Sequence, residues 1–217
     1  MKIELKNVSK KFDKSEVLKN VNLTFEKGNI YGFVGRNGSG KSVLLKLICA
    51  FYEPSSGLIL FDGENIIANN KYPPSTRALI EKPTFIPDLT GLENLMLLAS
   101  IQNIINEVQI LETLKLVDLY EEKDKKYHKY SLGMKQKLGI AQVLMENPEV
   151  LILDEAFNGL DNASSDKIRK LILDEKKKGK IVIIASHIKE DIVMLCDKVY
   201  ELDDGNISLI SKEKVNV

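Results

Sequence analysis

Gly35-Arg36-Asn37-Gly38-Ser39-Gly40-Lys41-Ser42 has the spacing G-x-x-x-x-G-K-[ST] of a loop that wraps a phosphate. The glycines let backbone N–H groups turn inward around a β-phosphate with no Cβ in the way. A lysine at position 41 reaches the β/γ oxygens, and the Ser42 hydroxyl ligates Mg²⁺. The flanks agree. Residues 29–34 (N-I-Y-G-F-V) read as a buried strand entering the loop, and residues 41–50 (K-S-V-L-L-K-L-I-C-A) as an amphipathic helix leaving it. That helix points the partial positive charge of its N-terminus at the phosphates. The expected nucleotide contacts are Gly35, Arg36, Asn37, Gly38, Ser39, Gly40, Lys41, Ser42 and Val43. The alternative is a glycine turn that binds nothing.

Bulk properties narrow the class. A chain of 217 residues buries a substantial core as one domain or one domain with a subdomain. Thirty-one basic residues balance 31 acidic ones, so no nucleic-acid footprint is expected. The run Lys176-Lys177-Lys178 reads as a solvated helix C-terminus, where lysines suit the dipole. Cys49 and Cys196 stand in apolar contexts without metal spacing and read as buried thiols of a reducing compartment. No apolar run approaches the ~20 residues of a membrane span, and the N-terminal M-K-I-E-L-K-N-V reads as a strand, not a signal peptide. A cytoplasmic protein is expected. Any membrane-spanning part would be another chain.

Along the chain, residues 2–8 and 21–25 alternate apolar and polar as antiparallel strands. Residues 54–57 are a turn, 58–61 a strand ending in Asp62-Gly63, and 78–81 another short strand. Thr90 with Glu93 forms a capping box for a helix running to about residue 103. A second helix spans roughly 106–116. Charged residues 120–129 read as a solvated connector, and Ser131 caps a long helix stopped by Asn147-Pro148. Strand and helix then alternate: 150–154, 164–178, 181–186 and 188–196, with a hairpin over 198–202 and 207–210. Continuous apolar strands interleaved with helices predict an α/β fold with a mostly parallel sheet covered on both faces.

Val150-Leu151-Ile152-Leu153-Asp154-Glu155 puts two carboxylates at the end of a buried strand. Beside a phosphate loop, Asp154 can hold Mg²⁺ and Glu155 can orient or deprotonate an attacking water. Such a pair is otherwise only the start of a loop. At this point the chain resembles, over essentially its whole length, the ATP-binding cassette of ABC transporters. Tyr130-Ser131-Leu132-Gly133-Met134 stands where that family reads L-S-G-G-Q, and Ser131 and Gly133 are retained. The resemblance implies that these two reach the γ-phosphate of ATP bound to the opposite subunit. A serine hydroxyl and a glycine N–H at a helix start make an anion site, and a plain capped helix is the alternative.

Further roles follow from the resemblance alone. Leu160-Asp161 matches the end of the family's S-A-L-D loop, so Asp161 would help join two subunits. His187 stands at the switch-histidine position, as a contact to the γ-phosphate. Phe12 stands where an aromatic stacks on adenine, although it could instead anchor two strands. Lys41, Glu81, Glu155 and His187 form the implied catalytic set, and Ser42, Glu81 and Asp154 the implied metal set. The architecture implied is a phosphate-loop core with an antiparallel β subdomain and a helical subdomain at about 84–147, all within a single domain over 1–217.

Glu81 departs from the family, which usually carries glutamine there, touching Mg²⁺ and the attacking water. A glutamate keeps an oxygen for Mg²⁺ and adds charge near the γ-phosphate. Together with Leu89 to Leu95 and the altered signature, it gives a similarity to cassettes linked to bacitracin and lantibiotic resistance. The implied protein is an ATPase subunit that dimerises head to tail on ATP, as homodimer or heterodimer. It would lie peripherally on the inner face of the cell membrane and drive an integral-membrane permease subunit on a separate chain. Phe85, Ile86, Leu89 and Leu92 are candidates for the permease groove, or for ordinary subdomain packing. Two rivals are a soluble cassette ATPase acting on ribosomes or DNA, which usually has two cassettes or a coiled coil, and a GTP-binding switch, which needs an N-K-x-D motif this sequence lacks.

Overall fold

The computed structural model describes residues 1–13, 15–69 and 71–215. Strand β3 (Asn29–Val34) is the entry to the glycine loop, as the sequence predicts. It pairs in parallel with β8 (Ile181–Ala185) on one side and β9 (Lys198–Asp203) on the other. Beyond β8 lie β7 (Val150–Asp154) and β6 (Thr76–Leu79), also parallel, and β10 (Asn206–Ile210) closes the far edge antiparallel to β9. The order is β10-β9-β3-β8-β7-β6.

Side chains alternate faces along a strand, so a strand buried on both sides must be apolar throughout. In β7, Val150 and Ile152 join one core cluster while Leu151 and Leu153 join the other. The first cluster fills the space between this sheet and a second, antiparallel one of order β2 (Ser15–Glu26), β1 (Lys2–Phe12), β4 (Ser56–Phe61), β5 (Glu64–Asn65), with α1 (Lys41–Ile48) supplying Leu44, Leu45, Leu47 and Ile48. The second cluster packs the opposite face against the later helices.

The antiparallel sheet consists of β1 (Lys2–Phe12), β2 (Ser15–Glu26), β4 (Ser56–Phe61) and β5 (Glu64–Asn65). Strand β1 is longer than its expected 2–8. Register shifts on either side of Val8 interrupt the alternation, yet pairing resumes at Lys10–Leu18 and ends at Phe12–Ser15. Phe12 is therefore carried on a strand end.

Between β6 and β7 the chain is helical. Helix α2 (Gly91–Gln102) has the expected capping box: Thr90 Oγ1 accepts from Glu93 N, and Glu93 Oε2 from Thr90 N. Helix α3 (Glu107–Leu116) starts one residue later than expected, because Asn106 caps it in a second box with Gln109. Segment 120–129 is only partly the solvated connector expected. It forms two 3₁₀ turns and buries Tyr127, whose hydroxyl donates to Pro83 O at 2.7 Å. The charged residues around it hid that anchor. Helix α4 (Leu132–Leu144) follows.

Helix α5 (Asn162–Lys177) begins two residues earlier than expected, and α6 (Lys189–Leu195) is slightly shorter. A last turn, α7 (Lys212–Val215), was not anticipated. The three lysines end α5 as expected, Lys177 and Lys178 exposed to solvent, and each also has an ion partner: Lys176 with Asp197, Lys177 with Asp174 and Lys178 with Glu175. Cys49 and Cys196 are buried, and burial pushes each thiol up to about 12, out of thiolate chemistry.

Gly32, mid-sheet, owes its identity to a close approach. A Cβ there would lie 2.6 Å from Cys196 Sγ and 3.2 Å from Ile192 Cγ2. Gly32→Ala is expected to cost roughly 1–3 kcal/mol of unfolding free energy by overpacking. Adding Cys196→Ala should recover part of it in denaturant titrations. Strictly additive single and double variants would show that the thiol is not the obstacle.

Candidate nucleotide-binding site

The parallel strands all end on one side. Strand β3 runs into the glycine loop, β7 delivers Asp154, β8 leads to Ser186 and His187, and β6 stops two residues short of Glu81. This is where open α/β sheets bind ligands. A cleft of about 430 Å³ opens there. Its loop wall includes Asn37, Gly38, Gly40, Lys41, Ser42 and Val43. Glu81, Asp154 and Glu155 form its acidic wall, and Phe12 and Val17 its apolar end.

Glycine is required at two points of the loop. Gly35 has φ 151°, and a Cβ there would lie 2.5 Å from Leu202 O. Gly40, at φ 106°, is the N-cap of α1 and offers no side-chain cap. The first N–H groups of α1 are thus left for a ligand. Lys41 is buried, its Nζ donating to Gly35 O at 2.7 Å and Arg36 O at 3.1 Å. The Ser39 hydroxyl is buried with no hydrogen-bond partner among the described residues.

Ser42 Oγ donates to Asp154 Oδ2 at 2.7 Å. Asp154 is only 2% exposed. Burial raises its carboxyl above the ordinary value, with the Ser42 hydroxyl pulling the other way. These are hard oxygen donors of the kind Mg²⁺ takes, one or two from protein and the rest from phosphate and water. The residues present therefore fit the metal.

Glu155 is fixed from several sides. It sits at φ 52°, a left-handed backbone rare for a residue with a Cβ. Its N–H donates to Ala185 O at 2.8 Å, and its carbonyl accepts from the buried Gln136 Nε2 at 3.2 Å. Oε2 accepts from His187 Nδ1 at 2.6 Å and, more weakly, from Asn158 Nδ2 at 3.4 Å. Sequence reading missed Gln136 and Asn158, since neither side chain has a local pattern that reveals its long-range partner.

Phe12 is 38% exposed and meets Tyr52 edge-on at 5.4 Å, with the Lys10 ammonium 4.9 Å from its ring centre. Tyr52 and Val17 also went unread. The Glu81 carboxylate is turned toward Lys46, with Oε1 2.5 Å from Nζ.

Ser131, Gly133 and Asp161 do not line this cleft. Ser131 caps α4, accepting from Met134 N at 3.2 Å on an exposed surface. Gly133 passes so close to Gly159 that a Cβ would lie 2.9 Å from its carbonyl oxygen. Asp161 caps α5, accepting from Ser164 N at 2.8 Å and Ser164 Oγ at 3.0 Å. Gly35, Arg36 and His187 line a neighbouring hollow of about 320 Å³ on the other flank of the loop.

Residues 18–158 match the protein family described as ABC transporter. The chain belongs to that family. An uncharacterized ABC transporter ATP-binding protein of Bacillus subtilis, YybJ, is 40% identical over 97% of this chain and 96% of its own length. The bacitracin transport ATP-binding protein BcrA of Enterococcus faecalis is 36% identical over 99% of this chain and 69% of its own. Among solved structures, an ATP-binding cassette in a dimeric post-hydrolysis state with ADP and Pi superposes with TM-score 0.85 at 26% identity, covering 96% of this chain and 99% of that one. The fold is that of an ABC ATPase, and the chain is an ATP-binding and ATP-hydrolysing subunit of the ABC transporter type. None of its described helices is long and apolar enough to cross a membrane.

The Asp161 cap gives a pH test. The Ser164 amide and hydroxyl hold the Asp161 carboxyl below its ordinary 3.8. Folded, the group gives up its proton more readily than unfolded, so its contribution is complete above about pH 4 and is lost as pH falls through the depressed value. Asp161→Asn keeps an acceptor but no charge. Its melting temperature is expected to lie below wild type at neutral pH and to converge with it in acid; a gap that widens in acid would contradict the assignment.

Proposed function

We propose that this chain binds ATP with Mg²⁺ in the loop cleft and hydrolyses it across a head-to-tail pair, driving a membrane subunit on a separate chain. The observation that carries the reading is the fixed Glu155 carboxylate, 2.6 Å from His187 Nδ1 and sharing a cleft wall with the Ser42–Asp154 pair. Lys41 and the loop amides grip the β- and γ-phosphates. Ser42 and Asp154 would hold Mg²⁺ through their oxygens, and the ion would supply neutralisation of phosphate charge. Glu155 takes the proton of the attacking water. His187 orients that carboxylate and, from the adjoining hollow, would contact the γ-phosphate. Catalysis is then positioning plus charge stabilisation.

The cleft is incomplete without a second copy. Ser131, exposed at the start of α4, and Gly133, half-buried beside it, are not in the lining of the chain's own cleft, and such a helix start suits a phosphate bound elsewhere. Asp161, exposed at the head of α5, belongs to the same junction.

A membrane partner has two candidate surfaces. At the one expected, Phe85 and Leu92 pack against the core of the helical segment, while Ile86 is 46% exposed and free to meet a partner. A second groove opens between the end of α1 and β6, with Phe51, Tyr72, Pro73 and Ala78 on its apolar side and Thr76, Arg77, Gln102 and Gln142 on its polar side. Phe51 is 65% exposed and Tyr72 87%, an apolar face suited to a short partner helix. Strand β6 runs from this groove directly to the Glu81 turn. The likeness to BcrA and to the lantibiotic transport ATP-binding protein SrtF of Streptococcus pyogenes, 32% identical over 95% of this chain, supports a peptide antibiotic as cargo.

Glu155→Gln is expected to slow ATP hydrolysis by roughly 10²–10⁴-fold while ATP still binds and dimers accumulate in size-exclusion runs. Near-normal turnover removes Glu155 from its role. Phe12→Ala should weaken nucleotide binding by roughly 1–3 kcal/mol if the ring stacks on the base, and Phe12→Tyr should restore it. Equal affinity for all three, by fluorescent-nucleotide titration, would leave Phe12 a strand anchor.

A further inference from the structure

Lys46 is one helical turn beyond Ser42 on α1. Residues four apart share a helix face and are separated by about 6 Å along the axis. Ser42 points at Asp154, whereas Lys46 points at Glu81. Glu81 lines the same cleft as Ser42 and Asp154, yet its carboxylate is paired with Lys46 while Ser42 and Asp154 pair with each other. Its backbone, at φ 61°, is fixed in a turn that side-chain-bearing residues seldom adopt. Lys46 has a second hold, its ammonium lying 5.8 Å from the Tyr52 ring centre. It can therefore stay in place when Glu81 leaves. The Lys46 side chain is partly exposed and that of Glu81 largely so, so this ion pair is weak and readily exchanged.

We infer that Lys46 is a positioning residue that parks the Glu81 carboxylate away from the metal position and yields it when a divalent cation arrives with nucleotide. The inference rests on the nucleotide-and-metal reading above and adds a partner for the one carboxylate that replaces the usual glutamine. A divalent ion at Ser42 and Asp154 attracts Glu81 more strongly than a single ammonium does. Glutamine, uncharged, would have no comparable attraction to Lys46. The parked and engaged positions therefore depend on the carboxylate and the lysine being present together.

The test measures cation affinity rather than turnover. Mn²⁺ is titrated by electron paramagnetic resonance into the full chain saturated with a non-hydrolysable ATP analogue. Lys46→Met, and Lys46→Gln as a second variant, should bind Mn²⁺ roughly two- to fivefold more tightly than wild type, since no ion pair has to break. Lys46→Arg, which can still pair, should stay near wild type. In a Glu81→Gln background the Lys46 substitutions should have no effect. Unchanged affinity in both Lys46→Met and Lys46→Gln overturns the inference. So does a tightening that persists with Glu81→Gln, because it would reflect only the removal of a positive charge. Failure of the wild-type chain to bind Mn²⁺ with the analogue would instead sink the nucleotide-and-metal reading itself.

Discussion

A carboxylate removed from water is the constraint around which this fold is arranged. Asp154 can remain buried because a hydroxyl donates to it, and that hydroxyl belongs to the first turn of a helix on another strand connection. An uncompensated buried carboxylate would cost several kcal/mol or simply hold its proton. The Ser42 contact exists only if β3 and β7 end level with each other. That alignment comes from β8, which lies between them and pairs in parallel with both, register by register. The loop, the acidic pair and His187 meet because three apolar strands share one register.

Much of this was legible in the sequence. Between Asn29 at the start of β3 and Asp154 at the end of β7, strands β3, β7 and β8 carry no charged side chain, and the two-sided burial of Val150 to Leu153 explains why. The loop spacing, the Thr90 box and the Ser131 cap are local chemistry, and each appears where its residues put it. What was hidden depends on contacts far apart in sequence. Phe12 could not be placed on a strand, because shifts around Val8 break the period before pairing ends. Tyr127 was buried within a charged stretch by a carbonyl 44 residues away. Gln136 and Asn158 declare themselves only through Glu155, and Lys46 only through Glu81.

The residues carried over by resemblance fall in different places. Phe12 and Glu81 line one cleft with the loop, beside Asp154 and Glu155, and His187 lines the adjoining hollow. Ser131, Gly133 and Asp161 serve this chain's own structure first, as helix caps or a point of close approach. Their local duties explain why a serine, a glycine and an aspartate would be needed at these places even without a ligand. A side chain that caps its own helix leaves little freedom for a second task, so contact with another copy's nucleotide would fall to the remaining lone pairs and backbone N–H groups at the same helix start.

Gly139 gives α4 a mechanical character. A Cβ at that point would lie 2.9 Å from both Leu79 Cδ1 and Pro83 Cβ, so the helix rests directly on the end of β6 and the turn after it. Ser131 stands at one end of this rod, about 12 Å from that bearing point at the usual helical rise. Gln142, on the short arm, lines the apolar groove. With a fulcrum at Gly139, a tilt of about 10° would carry Ser131 through about 2 Å and Gln142 through less than about 1 Å. The same rod carries Gln136, whose amide reaches the Glu155 carbonyl, so the exposed serine, the groove and the carboxylate's backbone all rest on one helix.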